Sequence, residues 1–211
     1  PFAKSKNSLK ELQVRLHFNP SLNRLESNLG ELWASDIFYQ KGQFERGSIS
    51  FDRDDIRPKA NQFILGAKLP TIDIDQWRPI KELFSVNNKA PSSLRTKFDL
   101  NLDHWQIFGT RFENISAIIK PLTKNTDIVF NSDTAAGQVI LPVNSTEVPQ
   151  VNLSKLILQK NIENTGQVMD PRNVTSVDFS VDQLSLATKE LGSVSFRVRP
   201  EISGASFSNI S

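Results

Sequence analysis

Residues 98–107 read FDLNLDHWQI: Phe98, Leu100 and Leu102 alternate with polar neighbours, then a three-residue step leads to Trp105 and on to Ile107. Alternation with a period of two marks a strand with one dry face and one wet face. The run Leu100, Leu102, Trp105, Ile107 returns twice with the same spacing, as Val151, Leu153, Leu156, Leu158 and as Phe179, Val181, Leu184, Leu186. An extra residue absorbed as a β-bulge would keep all four side chains of each run on one face and bend the strand. The other reading is that each run is two short strands. Either way the fold class is mainly all-β.

Working outward from this run, residues 98–121 and 177–200 match at a constant offset of 79 with no gap. Leu102 pairs with Val181, Trp105 with Leu184, Ile107 with Leu186, Phe112 with Leu191 and Ile115 with Val194. The match continues through Ala117 with Phe196, Ile119 with Val198, and Pro121 with Pro200. A fainter echo places Ile37, Tyr39, Phe44, Ile49 and Phe51 in comparable slots. Repetition of this kind predicts stacked strand units, each of which buries its dry face with its neighbours' help. The domain expectation is a first unit over 1–90 and further repeats over 91–211, the two related units lying at about 98–121 and 177–200.

The rest of the chain keeps the same period. Leu12, Val14, Leu16 and Phe18 alternate, as do Val194, Phe196 and Val198. Turn signals fall at Lys41-Gly42, Phe108-Gly109, Ala136-Gly137 and Gly192-Ser193. One short segment, near 75–85, reads as helix: Asp75 is a good N-cap, Pro79 falls near the first turn, and Ile80, Leu83 and Phe84 share a face.

The composition excludes several classes. Apolar residues are 38% and charged residues 23% of 211, enough for a packed core and too apolar for a disordered chain. The 25 basic and 23 acidic groups alternate along the chain, so no basic stripe marks a nucleic-acid interface. Cysteine is absent, which removes disulfides and thiolate metal sites and fits a periplasmic compartment as well as many cytoplasmic chains of this size. No stretch reaches the ~20 apolar residues of a membrane span, and the chain opens without a signal peptide.

Catalytic and metal signatures are missing. His17 and His104 lie far apart in different strand runs and read as wet-face residues, not as ligands. Asp52, Asp54 and Asp55 around Arg53 have neither the glycine nor the distal glutamate of a calcium loop, so a solvated turn is expected. Asp73 and Asp75 are read as solubilising and capping residues. With no nucleophile elbow, phosphate loop or dinucleotide fingerprint, the expectation is a non-enzymatic chain without metal or cofactor.

Several strings together resemble the central region of the bacterial YhdP family, AsmA-like envelope proteins related to the TamB group. Gly66-x-x-Leu69-Pro70-x-Ile72-Asp73-Ile74-Asp75-x-Trp77 is similar to a family string that leads into a short helix. Asp170-Pro171-Arg172-Asn173, followed by Val177-Asp178-Phe179-x-Val181-Asp182-x-Leu184, resembles its Asp-Pro-Arg segment and next strand, and Leu191-Gly192-x-Val194 its Leu-Gly-x-Leu step. Pro1-Phe2-Ala3-Lys4 resembles the end of a Leu-Pro-x-Pro-Leu-x-Lys signature, so the chain is expected to be a fragment of a longer protein.

The resemblance implies a curved antiparallel sheet of repeated strand units forming a hydrophobic groove, in a periplasmic protein anchored in the inner membrane. Its partners would be phospholipid acyl chains and other envelope proteins, with membrane contact only through parts outside this chain. Read from the residues alone, the dry face is either an ordinary core packed against a second layer, as in a scaffold module, or an open track for acyl chains. The resemblance points to the track. The side chains expected to line it are Leu100, Leu102, Trp105, Ile107, Phe112, Ile115 and Ile119; Val151, Leu153, Leu156 and Leu158; Phe179, Val181, Leu184 and Leu186; and Leu191, Val194, Phe196 and Val198.

Overall fold

The computed structural model describes residues 12–18, 22–53, 56–73, 95–107, 110–144, 146–158, 176–201 and 204–211. The helix expected near 75–85 and the Asp170-Pro171-Arg172 string lie outside them. Among the described residues the chain is all-β, with no helix. The strands are β1 (Leu12–His17), β2 (Asn23–Leu29), β3 (Trp33–Gln40), β4 (Gln43–Phe51), β5 (Gln62–Asp73), β6 (Arg95–Ile107), β7 (Thr110–Pro121), β8 (Asn125–Asn131), β9 (Ala135–Pro142), β10 (Gln150–Leu158), β11 (Val177–Leu186), β12 (Lys189–Glu201) and β13 (Gly204–Ser208). Strand order in the sheet follows chain order, which keeps each new strand beside the one just made. No helix among the described residues is long and apolar enough to cross a membrane.

Among the described residues the strand pairs whose register is defined are antiparallel except β4 with β5 and β10 with β11, which are parallel. The sheet is thus dominated by antiparallel pairs, as expected, with two parallel neighbours that the alternation did not announce. Residues 52–61 and 159–176 intervene there, and connections of such length allow the chain to return to the same end before the next strand begins.

Two compact units are distinguished: Pro1–Lys68 with Lys89–Asp99, and Leu69–Asn88 with Leu100–Ser211. In the first, Lys41 (φ 51°) and Gly42 (φ 76°) form a two-residue turn with both central residues at positive φ, as the sequence led one to expect between β3 and β4. One face of this unit carries apolar rows such as Leu12–Leu29–Trp33–Phe51–Ala67 and Leu16–Leu25–Ile37–Gly47–Phe63. On the outer strand Leu12, Val14 and Leu16 stay exposed.

Arg53 does not sit in a solvated turn. Its guanidinium is 10% exposed and donates to the Asp99 carboxylate at 2.7 Å and to the Asp99 carbonyl at 3.1 Å, while Lys97 donates to the other carboxylate oxygen at 2.7 Å. Burial by itself would raise the Asp99 pKa. The hydrogen bonds from Lys97 and Arg53 together outweigh it and hold the carboxyl below the ordinary aspartate value. A carboxyl depressed in the folded state stabilises the fold above its unfolded pKa, about 3.9, and that contribution is lost as pH falls through the lower folded value. Asp99→Asn is therefore expected to melt below the parent chain at pH 7. The gap should narrow below about pH 4, and a gap that widens on acidification would contradict the pairing.

In the second unit, β6 ends at Ile107 and β7 begins at Thr110, while β11 ends at Leu186 and β12 begins at Lys189. These boundaries share the offset of 79 read in the sequence. Two turn expectations fail here. Ala136-Gly137 lies inside β9 and Gly192-Ser193 inside β12. Each glycine sits where neighbouring strands change register, and it serves the backbone there instead of reversing it.

Candidate functional site

The three-residue steps in β10 and β11 are register shifts within continuous strands, between Leu153 and Lys155 and between Val181 and Leu184. The reading as two short strands is therefore set aside for these two runs. Their partners show what the shift achieves. Val151, Leu153 and Leu156 stand opposite Val139, Gly137 and Ala135, which lie two residues apart along β9 and share one face. Phe179, Val181 and Leu184 likewise stand opposite Phe196, Val194 and Gly192 on β12. Side chains that a three-residue step would otherwise send to opposite faces are kept on one. β10 and β11 remain in step throughout, Leu153 beside Val181 and Leu156 beside Leu184.

Following register from strand to strand gives rows that cross six strands. One runs Ala117–Phe130–Gly137–Leu153–Val181–Val194 and the next Ile119–Ile128–Val139–Val151–Phe179–Phe196. Neither contains an ionisable or polar side chain. A further row joins Ala135, Leu156, Leu184 and Gly192, and beyond the other flank Val177, Val198 and Phe207 lie side by side. The Phe179 and Phe196 rings stack 4.8 Å apart at 21°, with Phe207 5.8 Å from Phe196. Such ring pairs add about 0.5–1.5 kcal/mol beyond the area they bury.

At the β6–β7 end, Leu102, Ile115 and Ala117 form a buried cluster against which Leu69, Leu100, Trp105, Phe112 and Phe130 pack. The Trp105 and Phe130 rings meet edge to face at 6.3 Å. Ile107 closes β6, and its side chain lies outside the described residues.

Burial across this face is graded. Ala117, Leu153, Val181 and Val198 are buried, whereas Leu158 and its neighbour Leu186 are 36% and 44% exposed, and Leu141 and Phe207 are also open. Leu191 departs from the rows: it has no partner on β11, at the shift between Leu184–Gly192 and Ser185–Glu190, and it is 48% exposed. Among the described residues the strands of this unit belong to one sheet and pack on their hydrogen-bonded neighbours.

The opposite face carries the polar side chains, with Ile118, Val129 and Ile140 among them on β7 to β9. Gln138, Asn152, Ser180 and Ser195 form one of its rows, and the Ser180 hydroxyl donates to Asn152 Oδ1 at 3.0 Å. In the next row the Arg197 guanidinium is bidentate on Asp178. That hydrogen bond, and the charges of Arg197 and Arg199, hold the Asp178 carboxyl below the ordinary range. Gln138 donates to Asp127 at 2.6 Å.

Sequence reading placed Ala117 in the repeat but missed Ile128, Phe130, Val139, Val177 and Phe207 as members of the rows. β8 and β9 take part in both six-strand rows, yet Ile128-Val129-Phe130 and Val139-Ile140-Leu141 are continuous apolar triplets in which no alternation is visible. As for chemistry, no group of three or more metal-binding side chains occurs among the described residues. His17 is a wet-face residue, its Nε2 2.8 Å from Glu26.

A family model described as YhdP protein matches residues 1–211. Comparison with curated proteins and with solved structures gives no match.

Proposed function

Because the chain belongs to the YhdP family, whose members are associated with the cell envelope, we propose that it is a segment of a periplasm-spanning lipid-transfer bridge. In this reading the protein is not an enzyme. It carries phospholipid acyl chains along an apolar β-groove between the inner and outer membranes and so supports the outer-membrane barrier. The full-length protein is held in the inner membrane by parts outside this chain. The hairpins β6–β7 and β11–β12 are copies of one unit, and adding units lengthens the track.

The observation that supports the reading is the pair of six-strand rows free of polar side chains, running across strands of one sheet. A lipid tail exposed to water costs about 0.8 kcal/mol per methylene. A continuous apolar surface removes most of that cost and asks only for apolar volume, not for particular side chains. The two bulges matter because they let long strands bend without turning an apolar residue to the wet face.

Photo-crosslinking side chains placed at Leu184 and at Ser185 in the full-length protein test this. Leu184 lies on the apolar face and Ser185, paired with Glu190, on the other. Lipid adducts are expected at Leu184 and not at Ser185. Equal labelling at both, or protein adducts alone at Leu184, would favour a scaffold with a filled core.

A further inference from the structure

The apolar face of the first unit is interrupted by one hydroxyl pair. Between the row through Leu29 and Trp33 and the row through Leu25 and Ile37 runs a third, Val14–Ser27–Ser35–Ile49–Leu65. Register thus sets two serines opposite each other on β2 and β3, where alternation places apolar side chains on either side of them. Polar residues at positions that the pattern reserves for a dry face mark a local requirement other than packing. The serines are the smallest side chains of their row, so they floor a notch two strands wide with apolar walls.

The two hydroxyls lie 2.6 Å apart. One O–H···O bond uses one of their two hydrogens, and neither side chain makes another hydrogen bond among the described residues. Ser35 is the more deeply enclosed, at 8% exposed, while Ser27 is half-buried. A hydroxyl hydrogen left without an acceptor costs most where it is most buried. Donation therefore runs from Ser35 to Ser27, and the hydrogen of Ser27 is the one left over. A hydroxyl that already accepts a bond is also the stronger donor to a third group.

We infer that Ser27 donates this hydrogen to an ester carbonyl of a glycerolipid, the notch holding the linkage region while the acyl chains lie over the apolar side chains around it. The inference rests on the lipid-track reading and adds to it a point of registry and a preference. The ligand has to bring an acceptor to a dry face and little else that is polar. An ester carbonyl accepts, has no hydrogen of its own to satisfy, and is uncharged. A fatty-acid carboxylate also accepts, but its charge would lose hydration there. One neutral hydrogen bond changes affinity by only about two- to tenfold, so it sets a resting position without trapping the lipid.

A photo-crosslinking side chain at Val14, which stands opposite Ser27 and is 55% exposed, reads the site in the purified full-length protein. The probe is an equal mixture of a dioleoyl ester phospholipid and its diether counterpart, alike in headgroup and chain length but without carbonyls. Mass spectrometry of the adducts gives their ratio. Ester adducts are expected to exceed ether adducts by about two- to tenfold. Ser27→Ala should bring the ratio to one with ether adducts undiminished, and Ser27→Thr, which restores a hydroxyl, should keep the preference. Equal labelling by both lipids in the parent protein overturns the inference and leaves the track standing, as does an ester preference that survives in folded Ser27→Ala. Lipid adducts at Leu184 with none at Val14 overturn it too. Adducts at neither position overturn the track reading along with it.

Discussion

Gly137→Ala is expected to lower the melting temperature by roughly 6–12 °C, the effect of about 3 kcal/mol in a chain of this size. Gly137 stands opposite Leu153 where β10 takes up its extra residue. A Cβ there would lie 2.3 Å from the Asn152 carbonyl oxygen and 2.7 Å from Leu153 Cα. Both are backbone atoms, so no side chain can swing aside, and β9 would have to draw away from β10 across the middle of the apolar face. The matched control is Gly42→Ala in the β3–β4 turn. Gly42 has a φ of 76° with nothing within 4 Å of an added Cβ, so the change costs only left-handed backbone strain, about 1–2 kcal/mol. Thermal melts followed by circular dichroism should rank Gly137→Ala below Gly42→Ala. Equal melting would mean that β9 and β10 do not approach as described.

The same glycine shows where sequence reading works and where it stops. Strand runs with strict alternation, such as Phe179–Val181 and Val194–Phe196–Val198, announce their face because each apolar residue has polar neighbours on both sides. The three-residue step announces a bulge because the pattern resumes in phase for one face only if a residue is left over. Gly137 and Gly192 look like turn residues in isolation, since glycine favours both a reversal and a close backbone approach. Only the partner strand distinguishes the two. Parallel pairing at β4–β5 and β10–β11 is similarly invisible, because alternation carries no direction along the chain. The apolar triplets of β8 and β9 hide their phase because both faces receive an apolar residue: Ile128 and Phe130 join the rows while Val129, 42% exposed, faces the other way.

Phe196→Asp is expected to abolish lipid passage in the full-length protein, and Phe196→Leu to preserve it. Phe196 ends a row of six apolar residues, stacked on Phe179 and flanked by Phe207. An aspartate there removes the stack and sets an ionised group on a dry face, where desolvation opposes the charge and hydration of the charge opposes any acyl chain beside it. Loss of apolar contact for about four methylenes adds roughly 3 kcal/mol to the barrier, a slowing by about two orders of magnitude. Leucine keeps apolar volume and forfeits only the ring stacking, about 0.5–1.5 kcal/mol. Loss of the fold would mimic loss of the track, so the aspartate chain must first keep its β signal and its cooperative melt. The measurement is outer-membrane barrier function in cells carrying each variant as the only copy, read as sensitivity to large hydrophobic antibiotics. A folded Phe196→Asp protein that restores the barrier as well as Phe196→Leu would show that acyl chains do not travel over this face.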